Sequence, residues 1–252
     1  MMLKEKIALV TGGAKGIGRT ICTELALNGC DLIVHYNHSA QAAESLREEI
    51  EAMGRKVWLL QADFSDLEAI RAFFPEQVVP ILENIGKQLD LLVNNAGIYA
   101  FNTHWQVKDD VFNRFFTINV KAPLHLMKDA YTYMKEGGKI VNISSTTAKT
   151  PSEKMVIYGA SKAALENLTQ SFVQVYRKKN ISVNIIAPGL IDTTGDEGDT
   201  VSKVIKQYML RKSPDSRLGK PQDVAKVIVF LASGLSDWVN AQRIEVTGGI
   251  NF

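Results

Sequence analysis

Seven short runs of apolar and β-branched residues, at 7–10, 31–35, 57–61, 89–94, 139–144, 182–187 and 243–246, alternate along this chain with longer stretches of helical period. A parallel neighbour can be reached only through a crossover long enough to hold a helix, so this alternation points to parallel strands joined by helices. The expected fold is α/β: an open, doubly wound, seven-stranded parallel sheet flanked by helices. The helical stretches carry the matching stripes. Ala43, Leu46, Ile50 and Met53 share one face of the second, Leu165, Leu168, Phe172 and Val175 of a later one, and Val224, Val227, Ile228 and Leu231 of the last, which Pro221 opens. A length of 252 residues suits one such domain, spanning 1–252, without repeats or linkers.

The first strand, "KIALV", runs straight into "TGGAKGIGRT" and then a helix with Ile17, Ile21 and Leu25 on one face. Strand, glycines, helix is the context of a phosphate-binding loop. Glycine is required where φ is positive or where a Cβ would bar the backbone from a pyrophosphate, and the helix N-terminus supplies N–H groups and a favourable dipole. The spacing here is GxxxGxG, on Gly12, Gly16 and Gly18, with Lys15 and Ile17 between them. No GK[ST] follows, which excludes a Walker loop. An NAD site commonly has a carboxylate at the end of the second strand to bond the ribose 2′-OH. The chain reads "HYNHS" there, with Asn37, His38 and Ser39 and no acid. Neutral and basic groups at that corner, with Lys15, favour the 2′-phosphate of NADP(H) over NAD(H).

In open parallel sheets ligands gather outside the carboxyl ends of the strands. The third expected strand ends in "QADFSD" with Asp63, a candidate partner for an adenine amino group or a cap for the helix near Asp66. The fourth ends in "NNAG", where Asn94, Ala96 and Gly97 would let a ribose lie across the sheet edge or merely make a turn. The fifth ends in "NISS" and the sixth in "APG". Beyond them, "YGASK" sets Tyr158 and Lys162 one helical turn apart on one face, and either Ser144 or Ser145 could bring a hydroxyl close.

With "TGGAKGIG", "NNAG", "INV", "IVNISS", "YGASK", "APGLIDT" and "RLGKPQDVA" in this order, the chain resembles the short-chain dehydrogenases/reductases along essentially its full length. The resemblance implies a Rossmann-type fold and a catalytic set of Asn119, Ser145, Tyr158 and Lys162, the family spacing selecting Ser145 over Ser144. It implies hydride exchange between nicotinamide and a ketone or secondary alcohol, with Tyr158 moving the proton, Ser145 holding the substrate oxygen, Asn119 anchoring a water beside Lys162, and Lys162 also bonding the nicotinamide ribose. Pro188, Gly189, Ile191 and Thr193 match the segment against the nicotinamide. A free tyrosine titrates near pH ~10, so neutral-pH proton exchange requires lowering by about three units, for which Lys162 and the oxidised nicotinamide are the available cations.

Among family members the layout is most similar to 3-oxoacyl-carrier-protein reductases, so a carrier-bound acyl substrate is one expectation. A sugar, polyol or steroid dehydrogenase is another, and a non-catalytic dinucleotide sensor or scaffold is the reading from a different class. The polar stretch 192–220 is expected to act as a substrate lid. The family's oligomeric habit implies a homotetramer, although Asn240-Ala241 and Thr247 replace the usual Thr-Gly and Asp in the C-terminal strand. Lys+Arg of 29 against Asp+Glu of 27 gives no electrostatic case for nucleic acid. Cys22 and Cys30 read as reduced core thiols rather than a disulfide or metal framework, so no metal is expected. No apolar run approaches a signal or membrane-spanning segment, which places the protein in the cytoplasm, off the membrane.

Overall fold

The computed structural model describes residues 1–101, 104–193, 206, 207, 210, 211 and 213–250. Its seven strands are β1 (Ile7–Val10), β2 (Asp31–Tyr36), β3 (Val57–Gln61), β4 (Leu89–Asn94), β5 (Met134–Ile143), β6 (Ser182–Pro188) and β7 (Arg243–Val246). They form one sheet in the order β3-β2-β1-β4-β5-β6-β7, and every pairing is parallel. The main helices are α1 (Gly16–Leu27), α2 (Ala40–Ala52), α3 (Leu67–Ala72), α4 (Val79–Asn84), α5 (Asp109–Phe116), α6 (Ala122–Tyr133), α7 (Val156–Tyr176) and α8 (Pro221–Ala232).

The sheet is buried on both faces, so its strands read as continuous apolar runs rather than alternating ones. Successive side chains still take opposite sides. Ala8, Val10, Leu32, Val34, Leu91 and Val93 pack with Ile21, Leu25, Leu46, Ile50, Val224 and Ile228 from α1, α2 and α8. Ile7, Leu9, Ile33 and Leu92 meet Phe73, Phe74, Leu126, Met127 and Tyr176 on the other side. Burying one of the Val, Leu, Ile, Phe or Met side chains among them is worth about 1.5–3 kcal/mol, so both layers hold the sheet between them. Cys22 and Cys30 are buried free thiols whose pKa values burial pushes up, as expected of inert core residues.

Several boundaries differ from the sequence reading. β2 reaches Tyr36, β6 reaches Pro188, and β5 starts at Met134, which pairs with Leu89 before a register shift around Leu91. Within this early part of β5, Gly137 is left-handed, φ 74°, and the shifted pairing accommodates it. On α7 the buried face runs through Ile157, Ser161, Lys162, Leu165, Thr169 and Tyr176, and Val175 is 49% exposed. The expected stripe was rotated because polar Ser161, Lys162 and Thr169 face the core. Most of the expected lid, namely residues 194–205, 208, 209 and 212, lies outside the described residues. Its two ends are tied together by a bridge between Ile191 and Gly219 and by Asp192 N–H donating to the Gly219 carbonyl at 2.7 Å.

Ala241, where the family pattern has glycine, is held at φ 59°. Its N–H donates to the Val183 carbonyl at 3.1 Å and its own carbonyl accepts from Gln170 Nε2 at 3.1 Å. A Cβ in the left-handed region is strained by more than the unfolded-chain entropy it removes, so Ala241→Gly is expected to stabilise the protein by about 0.5–1 kcal/mol. Urea unfolding of the two proteins checks this; an unchanged or lower midpoint for the glycine variant is the contrary result.

Candidate active site

The carboxyl end of β1 opens into the glycine loop at the point where the strand order reverses. Thr11 N–H donates to the Val93 carbonyl at 3.0 Å, and the Thr11 hydroxyl accepts from Asn95 N–H and Ala96 N–H, both at 3.0 Å. Gly12 is left-handed, φ 63°, and a Cβ at Gly18 would lie 2.1 Å from the Gly12 carbonyl oxygen. Neither position admits another residue: Gly12 needs its positive φ and a Cβ there would lie 3.0 Å from the backbone of Ala96, and at Gly18 the start of α1 rests directly on the loop backbone. The first backbone bond of α1 in register is Arg19 N–H to the Lys15 carbonyl at 3.1 Å, so the N–H groups of Gly16, Ile17 and Gly18 precede the intrahelical ladder.

The loop is held from two sides by residues that the sequence reading passed over. Asn95 Nδ2 donates to the carbonyls of Thr11, at 2.9 Å, and Gly12, at 3.1 Å. His35, buried on β2, accepts Gly12 N–H on Nδ1 at 3.1 Å, and its carbonyl accepts Gly13 N–H at 2.9 Å. Since a backbone N–H can only donate, Nδ1 carries the lone pair and Nε2–H donates to the Ala62 carbonyl, 3.0 Å away. The ring stacks on Phe64 at 3.9 Å and meets the edge of Phe73 at 5.1 Å. Burial pushes its pKa down to about 4. Strand parity could have flagged this histidine, since it follows Ile33 onto the apolar layer; parity also explains Asn94. Asn94 sends its side chain away from the crevice, donating to Asn142 Oδ1 at 2.7 Å, while Asn95 is the residue that turns to the loop.

At the nearby corner Asn37 and Ser39 are half-buried and His38 is exposed, Asn37 accepting weakly from Gln61 Nε2 at 3.4 Å. Asp63 Oδ1 accepts Ser65 N–H at 2.8 Å, and that bond draws its carboxyl below the ordinary range. The helix cap is Asp66 rather than Asp63, accepting Glu68 N–H at 2.9 Å. Lys15 stands at the N-cap of α1, beside Gly16.

Across the sheet, the end of β5 separates the two serines by strand alternation. Ser144 Oγ donates to Glu166 Oε1 at 2.6 Å, whereas Ser145 Oγ accepts from Thr147 N–H at 3.2 Å and from Thr147 Oγ1 at 2.9 Å and faces the same cavity as Tyr158. Arg243 closes the back of this junction, donating from Nε to Glu166 Oε1 at 2.8 Å and from Nη2 to the Ser145 carbonyl at 3.2 Å. Lys162, one turn below Tyr158, is buried, donates to the Ile143 carbonyl at 2.7 Å and sits 5.9 Å from the tyrosine ring centroid. Asn119 lies in a π-helical turn, Thr117–Lys121, between α5 and α6. Its amide accepts Ile98 N–H at 2.9 Å and donates to the Ile98 carbonyl and Ser161 Oγ, each at 3.0 Å.

Burial pushes the Tyr158 phenol up, with the Ser145 hydrogen bond opposing it and Tyr99 adding to it. Burial also lowers Lys162 to about 8, against the attraction of Glu166. The protein alone therefore does not supply the tyrosine lowering that neutral-pH proton exchange requires, because the lysine nitrogen is directed at a carbonyl and not at the phenol. These groups face a cavity of about 330 Å³. Its floor is Ser145, Tyr158 and Lys162; its walls include Ile98, Tyr99, Phe101, Met155 and Leu190, and Ile17, Gly97, Pro188, Gly189, Ile191 and Thr193 line it as well. Tyr99 meets Tyr158 edge-on at 6.3 Å. Among the described residues no group of three or more His, Cys, Asp or Glu could hold a metal ion.

Comparison with known proteins agrees with this layout. The family model described as enoyl-(acyl carrier protein) reductase matches residues 12–251. A short-chain dehydrogenase/reductase of Pestalotiopsis microspora is 36% identical over 258 residues, covering 98% of this chain and 96% of the relative. Versicolorin reductase 1 of Aspergillus parasiticus is 35% identical over 98% of this chain and 97% of its own. The solved structure of an angucycline C-6 ketoreductase with bound NADP superposes with a TM-score of 0.92 at 33% identity, covering 99% of this chain and 96% of the other.

The His35 geometry has a consequence for acid stability. The unfolded chain binds a proton near pH 6.5 and the folded one only near pH 4, so stability is full above 6.5 and falls as pH drops toward 4. Between pH 7 and pH 5 the loss from this residue is about 2 kcal/mol. Urea midpoints at the two pH values should differ less in His35→Asn than in the wild type by that amount; equal differences would contradict the assignment.

Proposed function

The chain belongs to the short-chain dehydrogenase/reductase family, and from that premise we propose that this oxidoreductase is an NADP(H)-dependent ketoreductase acting on a flat, largely apolar ketone. The observation that carries this reading is that Ser145 and Tyr158 line one cavity together with Tyr99, Phe101, Met155 and Leu190. Two hydroxyls on one small floor suit a single carbonyl oxygen; aromatic and aliphatic walls suit the face of a ring system. Likeness to a versicolorin reductase and to an angucycline C-6 ketoreductase supports reduction of a ketone.

The loop and its surroundings fit the cofactor. Gly12, Gly16, Ile17 and Gly18 bring backbone and helix N–H groups to one place for the pyrophosphate. Lys15, Asn37, His38 and Ser39 offer neutral or basic groups to a 2′-phosphate, Asp63 an acceptor to the adenine, Ala96 and Gly97 with the main chain of Asn94 a flat edge to a ribose, and Pro188, Gly189, Ile191 and Thr193 a rim to the nicotinamide. The NADP held by the angucycline ketoreductase and by a Burkholderia cenocepacia dehydrogenase, 33% identical with a TM-score of 0.91, supports the choice over NAD. When bound, the nicotinamide supplies or accepts the hydride.

The protein's part is to fix the carbonyl and move the proton. Ser145 holds the substrate oxygen, Tyr158 donates its proton to that oxygen in reduction, and Lys162 keeps a positive charge behind the phenol and reaches the nicotinamide ribose. Asn119 acts by holding the main chain of Ile98, and with it the loop that forms one cavity wall. The segment 192–220 remains the candidate substrate lid, with Ile191 just before it and Thr193 at its start lining the cavity.

A second reading, reduction of a carrier-bound 3-oxoacyl group, is favoured by the description of the matching family model. Exposed Phe112 on α5 and Val175 on α7 support burial against other copies in a homotetramer. No helix among the described residues is long and apolar enough to cross a membrane. We assign the protein to the cytoplasm.

NADPH consumption should be fast with a flat aromatic ketone and slow with a 3-oxoacyl thioester or a keto sugar; faster turnover of the thioester would favour the second reading. Tyr158→Phe is expected to lower kcat about 10²–10⁴-fold without changing the circular dichroism spectrum. Equal rates for the two proteins with every substrate would leave a non-catalytic nucleotide binder. NADPH should bind about tenfold or more tightly than NADH in fluorescence titrations.

A pH dependence follows from Lys162, which is cationic below about 8 and neutral above it. Loss of that charge removes support for proton donation, so reduction should hold its rate below pH 8 and decline as pH rises through it. A profile of kcat from pH 6 to 10 tests the sign: a rate rising through pH 8 would exclude a cationic lysine in the reductive step.

A further inference from the structure

We propose that His35 is a positioning residue for the cofactor, its neutral ring latching the glycine loop in the one conformation that receives a dinucleotide. The inference rests on the reading of that loop as the cradle, and it assigns a role to a residue whose ring lies beneath the cradle instead of lining it.

Two peptide planes flank Gly12. The plane between Thr11 and Gly12 is held through its N–H by His35 Nδ1 at 3.1 Å and through its carbonyl by Asn95 at 2.9 Å. The plane between Gly12 and Gly13 is held through its N–H by the His35 carbonyl at 2.9 Å and through its carbonyl by Asn95 at 3.1 Å. His35 and Asn95 thus grip the same two planes from opposite ends, and between them they impose the φ of 63° at Gly12. Gly12 is the most permissive residue type, so an isolated loop would lose this conformation readily.

The consequence for the ligand comes through the start of α1. Gly18 passes so near the Gly12 carbonyl that a Cβ there would lie 2.1 Å from it. The plane between Gly12 and Gly13 therefore packs directly against the helix end whose N–H groups precede the ladder. Holding Gly12 holds the anion-binding end of α1.

A buried ring that served packing alone would need no polar atom, and an apolar side chain between Phe64 and Phe73 would avoid the desolvation of two nitrogens. Both nitrogens of His35 have partners instead: Nε2–H ties the ring to Ala62, the residue before Asp63. The loop at the end of β1 and the end of β3 are thereby connected through one imidazole.

The test compares two near-isosteres. Asparagine places Oδ1 one bond beyond Cγ, where histidine has Nδ1, and keeps the acceptor for Gly12 N–H; leucine puts a methyl group there. With NADPH as the probe in fluorescence titrations of the full chain, His35→Leu should weaken binding about ten- to hundredfold, and His35→Asn should stay within about threefold of wild type. At saturating NADPH the KM for the ketone should move by less than about twofold in either variant, since the latch does not touch the substrate cavity. Leucine binding NADPH as tightly as wild type overturns the proposal, and so does asparagine failing as badly as leucine, which would mean packing alone. If His35→Leu does not fold, the wild-type ring decides. Nitrogen-15 NMR of labelled histidine should show Nε2 protonated and Nδ1 bare at neutral pH, and a protonated Nδ1 refutes the latch. Wild type that binds neither NADPH nor NADH is a separate failure, of the reductase reading itself.

Discussion

Everything in the site hangs from the pairing of β1 with β4. These neighbours in the sheet are separated in sequence by β2, β3 and their helices, and at this pair the strand order turns back on itself. Crossovers leave in opposite directions on either side of the pair, so no helix fills the space beyond their carboxyl ends. The crevice is a consequence of connectivity, not of any residue in it. What the residues do is line it rigidly. Thr11, the first residue past β1, uses its hydroxyl to collect two N–H groups from the turn after β4, and Asn95 in that turn returns the bond to the glycine loop. The two halves of the sheet are thus joined at the ligand side by side-chain bonds as well as by the strand ladder.

A buried polar layer continues this stiffness outward from β4. Asn94 donates to Asn142 at 2.7 Å, Asn142 donates to Thr169 at 2.8 Å, and Thr169 donates to the Leu165 carbonyl at 2.7 Å. This chain runs from β4 through β5 into α7, the helix that carries Tyr158 and Lys162. Polar groups in a core demand directed partners where apolar groups tolerate sliding. The relative height of α7 above the strand ends is therefore set by hydrogen bonds whose lengths leave little play, which suits a site that must align one hydroxyl with another on a neighbouring strand.

The architecture was legible because it depends on periodicity, and seven apolar runs at crossover spacing leave few alternatives. The strand-end motifs were legible for the same reason: once Tyr158 and Lys162 are one turn apart and Ser145 ends a strand, topology brings them together. Side-chain direction was harder to see. "NNAG" does not disclose which asparagine turns inward, and the answer came from strand parity at β4. "VHY" does not disclose that its histidine serves the loop 23 residues earlier. On α7 the stripe was misjudged because an apolar face was sought where the chain buries Ser161, Lys162 and Thr169, each satisfied by a partner that linear spacing cannot show. The tyrosine's proton affinity was equally hidden, since burial acts through neighbours far away in sequence.

Burial acts on both members of the reacting pair, and in opposite chemical senses. It raises Tyr158 and lowers Lys162, so each is pushed toward its neutral form, phenol and amine. Left alone, that environment would take the charge away from the phenol. The counterweight is Glu166, one turn below Lys162 on α7, whose attraction favours the ammonium form. Arg243 from β7 and the Ser144 hydroxyl fix this carboxylate in place, both bonding Oε1. Arg243 meanwhile donates to the carbonyl of Ser145, the residue that lines the cavity with Tyr158. The charge behind the tyrosine and the position of the serine in front of it are thus governed by one guanidinium at the far edge of the sheet. Ser144, passed over by the catalytic spacing in favour of its neighbour, belongs to the machinery as the hydroxyl that holds this carboxylate in place beside Arg243.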